Sequence, residues 1–501
     1  MRKFLDRQPV IIGVGESIDR GRSLAEAKEP MALMVEALQA AQQDAGTALL
    51  QHVDTLYVVR EFSWPYVDPP GLLAWRLDMP ASHRFYGEDG GETPIRCLHE
   101  AAQRIASGAS GVVAVVGAEA AYTTAAAWKS NVPLPWQHRD STAKTPTGRD
   151  FVSETALVCG VVQPAHVYPF FENAFAAARG KTQAEALVES AEMYSRLSAI
   201  AARQPFAWSQ RTYRPEEMLN TDADNRWVAW PYCKRMVANP MVNQGAAILL
   251  TNRARAREMG VADDRMIHVW GGAYAREHRD YLQRDSYSRS AAQTAVLQSV
   301  AERVGGAQAF QALEIYSCFP CVPKMALHAL GLPDDTSVSV TGGLSFFGGP
   351  LNNYMSHAAV AMTRVLREAD ERPALLYGQG EYLTKHHALV LSRCPDEGAF
   401  DDMNPCVQAR ADLMMSVVPE LLHWYEGEAT VETFTVLYDR QMQPDFGAVI
   451  ARTPIGERLL ARVPAGDRDT INWLTAPGRS PIGSHGRVQK LDEHRLRWVA
   501  A

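Results

Sequence analysis

Two glycine pairs, Gly342-Gly343 and Gly348-Gly349, stand in the run Val338–Tyr354, V-S-V-T-G-G-L-S-F-F-G-G-P-L-N-N-Y. The run reads as a short β-branched strand, a glycine pair, an apolar step, a second pair closed by Pro350, and a helix start. Glycine in such a turn lets the backbone come closer to a ligand, or to another part of the chain, than a side chain would permit. A second run, Gly380–His387 (G-E-Y-L-T-K-H-H), gathers titratable groups. A phenol, with an ordinary pKa of about 10, becomes an acid/base group where neighbours lower that value, and Lys385 and His386 are placed in sequence to do so for Tyr382. His386 can itself titrate. Cys318-Phe319-Pro320-Cys321 is a C-x-x-C, but zinc or redox use needs a second pair or a thioredoxin-like context, and neither is present. No metal site is therefore expected. The chain has no G-x-G-x-x-G after a strand and no G-K-[ST] loop, so nicotinamide and nucleoside-triphosphate use have no support.

The elements that would position these residues alternate between strand and helix. Pro9–Ser17 is an apolar run ended by glycines, read as a strand buried on both faces. Ser23–Ala45 carries apolar residues at helical spacing. Val53–Val59 reads as a strand, Thr93–Ser107 as a helix and Gly108–Ala118 as another buried strand. After about residue 120 the rhythm breaks. Residues 121–236 are rich in Trp, Pro, Tyr and Arg and read as an inserted subdomain over one end of the sheet, either a lid or a packing insert. Its tryptophans (Trp128, Trp136, Trp208, Trp227, Trp230) either wall a channel or form ordinary core. Alternation then returns: strands at Asn243–Asn252, Met266–Tyr274, Ala312–Tyr316, Ser337–Thr341, Ala374–Gln379 and His387–Ser392, with helices at Ser290–Val304, Val322–Leu330 and Asn352–Ala369. The pattern before residue 120 thus recurs after 260, as in a duplicated α/β unit, although no residue-level repeat is visible. Pro395–Asn404 is acidic and turn-like, a linker. Beyond it, Ala429–Tyr438, Phe446–Val463, Thr470–Leu474 and Gly486–Val499 read as short strands of a small barrel.

The composition is that of a globular protein with a large core: 47% hydrophobic and 21% charged residues over 501 positions. A net charge of −7 and a pI near 6.1 give no general attraction to nucleic acid or anionic lipid. Seven scattered cysteines lack framework spacing, which points to reduced thiols and a cytoplasmic location. The start runs into charge at once, without a signal-like apolar stretch, and no window reaches the roughly 18 apolar residues of a membrane span.

Three stretches, in order, resemble the thiolase superfamily. Asn243-Gln244-Gly245-Ala246-Ala247 resembles the N-half glycine strand. Glu314-Ile315-Tyr316-Ser317-Cys318-Phe319 is similar to the N-E-A-F or H-D-C-F loop. Gly342–Pro350 resembles G-G-x-x-x-x-G-H-P. The resemblance covers about residues 8–393, and the β-rich tail resembles the thiolase-like protein type 1 branch, which carries an additional C-terminal domain. It implies a five-layered αβαβα fold: an N-terminal half over 1–260 that includes the insert 121–236, a C-terminal half over 261–394, and a β-rich, OB-like domain over 405–501.

The resemblance also implies departures. Gly91 falls where thiolases carry the nucleophilic cysteine, Gly349 at the G-H-P histidine, Tyr316 at the Asn or His that holds the thioester oxygen, and Leu376 near the second cysteine of C-x-G. Cys97 lies further along the helix and is not promoted. Acyl-cysteine chemistry is then not expected. What remains are backbone N–H groups at Gly90-Gly91, the following helix start at Thr93, and Gly348-Gly349, able to hold a carbonyl or enolate oxygen. Tyr316, Tyr382 and His386 stand as catalytic candidates; Gly91, Thr93, Gly348, Gly349 and Gly378 stand as substrate contacts. His357 is read as a core or surface histidine. Two functions stay open. One is an acyl-CoA enzyme, resembling acetyl-CoA acetyltransferases by fold, that makes or breaks a carbon–carbon bond through an enolate, as in a retro-aldol step of lipid metabolism. The other is a degenerate thiolase that binds acyl-CoA or a partner protein. No covalent cofactor is expected and coenzyme A thioester is the expected small-molecule partner, with no nucleic acid or membrane partner. Thiolases commonly form homodimers through the N-half sheet, and the insert and tail could block that surface.

Overall fold

The computed structural model describes residues 5–21, 23–396 and 405–500. The apolar runs become strands β1 (Pro9–Ile18), β4 (Val112–Ala120) and β7 (Asn243–Asn252), buried along almost their whole length. Alternate side chains serve two different cores. Val10 and Ile12 of β1, with Val112, Ala114 and Val116 of β4, pack under the helix Pro30–Ala45. Ile11, Val14, Val113 and Val115 face the opposite way, into the main core. A strand whose two faces are both covered must read as continuously apolar, as these do.

With β2 (Thr55–Val58), β3 (His83–Tyr86), β8 (Ile267–Arg276), β9 (Ala312–Ile315), β10 (Ala374–Gly380) and β11 (Lys385–Ser392), the strand order is β3-β2-β4-β7-β1-β8-β11-β10-β9. The duplication is visible here as connectivity. In each half the last strand, β7 or β11, runs antiparallel between the first strand and the penultimate one. The penultimate strand runs parallel to β2 or β9. The halves meet where Val10 and Ile11 pair with His268 and Ile267. The helices Thr93–Ser107 and Tyr354–Glu368 touch one another and strands of both halves, forming the middle layer. The helix Pro30–Ala45 covers the N-terminal half and the helix Ala291–Arg303 the C-terminal half, which completes the layers α-β-α-β-α.

Ser337–Thr341, expected as a strand, is not one. Only Val338 extends the sheet, accepting from the Ile315 N–H at 2.8 Å. The segment is held instead by the buried Glu314 carboxylate, which accepts from Ser339 Oγ, the N–H groups of Val340 and Thr341, and the Tyr354 hydroxyl at 2.6 Å. Gly342 then turns at φ 103°, where a Cβ would overlap the backbone of Ala201.

Downstream, β12 (Gly427–Tyr438), β13 (Pro444–Arg452), β14 (Arg458–Pro464), β15 (His485–Lys490) and β16 (Leu496–Ala500) form a five-stranded barrel, closed by β12 pairing back on β13. Arg468–Leu474 is a helix, where a short strand was expected over Thr470–Leu474. Thr470, Ile471 and Leu474 are buried at helical spacing, and the Asp467 side chain caps the first turn. The barrel is tied to the body in two ways. The insert adds β5 (Trp227–Ala229) and β6 (Tyr232–Cys233) to the β12 edge. The buried Arg458 guanidinium pairs with Glu432 and donates to the Leu282 carbonyl of the C-terminal half at 2.7 Å. The acidic linker stretch falls largely on residues 397–404, outside the described residues.

Candidate active site

Four chain segments converge on a cleft of about 420 Å³: the turn before the helix Thr93–Ser107, the loop after β9, the second glycine pair, and the turn from β10 to β11. The insert supplies the outer wall through Pro146, Phe151, Pro164 and Tyr168. None of the five insert tryptophans is in that wall. Trp128 is 87% exposed, Trp136 packs on Trp64, Trp208 lies against Tyr122, and Trp227 and Trp230 join the seam with β12. They serve packing, and the smaller aromatics Phe151 and Tyr168 line the opening instead.

Tyr316 occupies the centre. Its N–H donates to the Tyr377 carbonyl, which fixes the loop onto β10. Its ring lies over Gly91 so closely that a Cβ there would sit 2.5 Å from the phenolic oxygen. Gly91 and Tyr316 are thus complementary: the phenol fills the space that a side chain at 91 would use. Tyr316 is 8% exposed, and among the described residues none hydrogen-bonds its hydroxyl. Burial, reinforced by Cys318 and Glu92, raises its pKa well above 10. The group therefore keeps its proton at neutral pH and offers a hydrogen bond; it does not act as a base.

Carboxylates stand around this phenol. Asp89 lines the cleft with its Oδ1 3.3 Å from Arg60 Nε, and burial raises its pKa. Glu381 also lines the cleft. Burial works to raise its pKa, but Arg279 at 2.8 Å and Lys385 at 3.1 Å outweigh burial and lower it. Glu92, next to Gly91, is pushed up to about 7 chiefly by burial, with Lys385 opposing. Gln379 donates to the Tyr168 hydroxyl at 2.7 Å and to Cys318 Sγ at 3.2 Å. Burial pushes the Cys318 thiol up to about 12, so the one cysteine in the cleft wall is no thiolate. Cys97 is likewise buried with a raised pKa. Among the described residues the cleft wall holds no histidine.

The cleft brings together Tyr316, Gly91 and Gly349. The other sequence candidates lie elsewhere. The Tyr382 hydroxyl donates to the Val162 carbonyl at 2.7 Å, with its ring against Phe151 and Tyr281. Burial raises its pKa, so Lys385 does not activate it. His386 is buried between the Tyr377 hydroxyl, 2.7 Å from Nδ1, and Ser290, and burial holds its pKa down to about 3. Thr93 spends its hydroxyl on the Glu88 carbonyl. Gly348, at φ 118°, packs on Gln244, and Gly378 packs on Glu92 and Met355 within β10. Two backbone donors expected at the site are engaged: the Gly349 N–H donates to the Asn239 carbonyl and the Gly90 N–H to Asn352 Oδ1. His357 is buried in the core with Nδ1 2.7 Å from Glu16. Sequence reasoning passed over Asp89, Glu92, Gln379 and Glu381. The acidic flanks of Asp89-Gly90-Gly91-Glu92 were a readable signal; nothing local marked Gln379.

A two-half α/β body with a barrel appended is the architecture of one class of thiolase-fold proteins, and comparisons with known proteins agree. The family described as thiolase-like protein type 1 additional C-terminal domain matches residues 410–493. A monomeric SCP2-thiolase-like protein type 1 from Mycobacterium smegmatis superposes with a TM-score of 0.82 at 26% identity, covering 99% of this chain and 100% of that one. The Ltp2-ChsH2(DUF35) aldolase aligns at TM-score 0.56 and 18% identity over 77% of this chain and 98% of its own. The acetyl-CoA acetyltransferase of Syntrophomonas wolfei aligns at 0.56 and 16% over 77% and 99%. No curated protein matches the sequence. Residues 410–493 thus carry the additional C-terminal domain of thiolase-like protein type 1, and the chain as a whole has the thiolase-like fold.

Proposed function

We propose that this protein breaks or forms a carbon–carbon bond in an acyl-CoA thioester through an enolate, without an acyl-cysteine. The observation that carries this reading is the Tyr316 hydroxyl, protonated and open to the cleft over the bare backbone of Gly91. An enolate oxygen developing on a thioester carbonyl needs a preorganised donor in a dry site, and a buried phenol supplies one. In a retro-aldol step a carboxylate of the Asp89–Glu92 turn takes the proton of the β-hydroxyl, the carbon–carbon bond breaks, and its electron pair passes into the thioester carbonyl. Tyr316 donates to the resulting oxyanion. The fold shared with an aldolase and with an acetyl-CoA acetyltransferase supports the substrate class. Seven cysteines, all free, suit a cytoplasmic setting, and among the described residues no helix is long and apolar enough to cross a membrane.

A second reading, acyl-CoA binding without turnover, draws on the engaged N–H of Gly349 and on Tyr382 and His386 being hydrogen-bonded away from the cleft. A panel of 3-hydroxyacyl-CoA thioesters separates the two. Cleavage to a carbonyl compound and a shorter thioester, reduced in Tyr316→Phe, supports the enzyme. Tight binding with no product over the panel leaves the binding protein.

A further inference from the structure

Glu92 directly precedes the helix Thr93–Ser107, yet its side chain makes no cap hydrogen bond. The carboxyl is folded inward. The residue is 5% exposed, and its Oε2 has no hydrogen-bond partner. A buried carboxylate oxygen left unpaired is costly, so its retention asks for a reason. Its surroundings supply one. A Cβ built on Gly90 or on Gly380 would overlap that oxygen, so the carboxyl fills the side-chain space of both glycines. Both glycines line the cleft. Neither glycine has a side chain, so the Glu92 oxygen abuts the backbone that bounds the acyl site. On its other side Glu92 lines a polar cavity of about 520 Å³, together with Arg96, Tyr274, Arg276 and Lys385.

We propose that Glu92 is the group that exchanges the reacting proton between the acyl cleft and solvent, by way of this polar cavity. The proposal rests on the enolate reading above and names the proton carrier which that reading leaves open. The neighbouring acids face cations more closely: Glu381 is paired with Arg279 and Lys385, and Asp89 Oδ1, although it too makes no hydrogen bond, lies 3.3 Å from Arg60 Nε. Tyr316, packed from the loop after β9, keeps its own proton. The titratable groups facing Glu92 are Lys385 and Glu381 from the β10–β11 turn and β11 and Arg276 from β8, with Arg96, His99 and Glu100 of its own helix and His386 and His387 of β11 around the polar cavity. Burial outweighs the cations and sets the carboxyl near neutrality, where a proton is taken up and released most readily. The balance closes without a co-reactant. The substrate O–H bond breaks and its proton goes to the Glu92 carboxylate. The carbon–carbon pair becomes the enolate. Glu92 then returns a proton to the α-carbon, its own or one exchanged with solvent, giving a carbonyl compound and a shorter thioester.

The test uses the full chain and acetyl-CoA in deuterium oxide, with deuterium on the α-carbon followed by mass spectrometry. Wild type is expected to exchange, with a rate that rises as pH passes through about 7. Glu92→Gln should lose about 100-fold in exchange with acetyl-CoA affinity unchanged, and Glu92→Asp should recover part of the rate together with the pH dependence. If wild type exchanges and Glu92→Gln does so equally fast, or if the rate is flat from pH 6 to 8, the assignment of Glu92 is overturned while the enolate reading stands. If wild type does not exchange at all, the enolate reading falls and this assignment falls with it.

Discussion

Gly91 and Tyr316 act as one unit, because the ring occupies the volume a side chain at 91 would need. Gly91→Ala would place a methyl 2.5 Å from the phenolic oxygen. The ring must move, since atoms packed this tightly have no free volume to absorb it. We expect Gly91→Ala to fold, to lose about 1–3 kcal/mol of stability by denaturant titration, and to lose acyl-CoA turnover. Gly91→Cys meets the same obstacle and is not expected to gain thiolysis. The family resemblance pointed to Tyr316 and to Gly91 in the sequence, because the matched loop and glycine turn placed them. The contact between them was not legible, since it joins positions more than two hundred residues apart in the chain.

At the scale of elements, the glycine turn and the turn from β10 into β11 show where sequence patterns mislead. Val338–Thr341 alternates β-branched and small residues like a strand. The buried Glu314 carboxylate instead claims its N–H groups. Tyr382, with Lys385 and His386 nearby, had the composition of an acid/base cluster, but composition says nothing of direction. The Tyr382 hydroxyl binds the Val162 carbonyl and pins the insert over the cleft. Tyr382→Phe is therefore expected to cost about 1 kcal/mol and to raise hydrogen exchange around residues 148–162, with the chemical step little changed. A loss of turnover as large as that of Tyr316→Phe would return Tyr382 to the reaction. The helix Thr93–Ser107 was legible to the residue, because its apolar spacing and Gly108 stop are both local.

At the scale of the molecule, burial sets the pH response. Glu61, Glu92 and Glu119 are pushed up to about 8, 7 and 7, mainly by burial, from an ordinary 4.5. All three are neutral in both states at low pH. As pH rises past about 4.5 the unfolded chain ionises first, so each group lowers stability until its folded value is passed, by up to about 1.4 kcal/mol per pH unit. His268 and His386 are held down to about 4 and 3 by burial, so falling pH below 6.5 favours the unfolded chain. Thermal unfolding should therefore show a Tm that falls from pH 6.5 to about 7 through all three carboxyls and on to about 8 through Glu61, and Glu92→Gln should flatten the part below about 7. The recurring α/β alternation and the terminal barrel were legible because each strand carries its burial pattern locally, whereas the layer order was legible only through the family resemblance. The exposed edge strand β3 was not, since His83–Tyr86 has no buried face to impose alternation.

The central claim is that a protonated Tyr316, over the bare backbone of Gly91, stabilises a thioester enolate. The most direct measurement is the turnover of a 3-hydroxyacyl-CoA panel by wild type and Tyr316→Phe, with thioester affinity measured in parallel. The account predicts retro-aldol products from wild type and a loss of about 100-fold in kcat for Tyr316→Phe at nearly unchanged affinity. Equal turnover by the two proteins would contradict it.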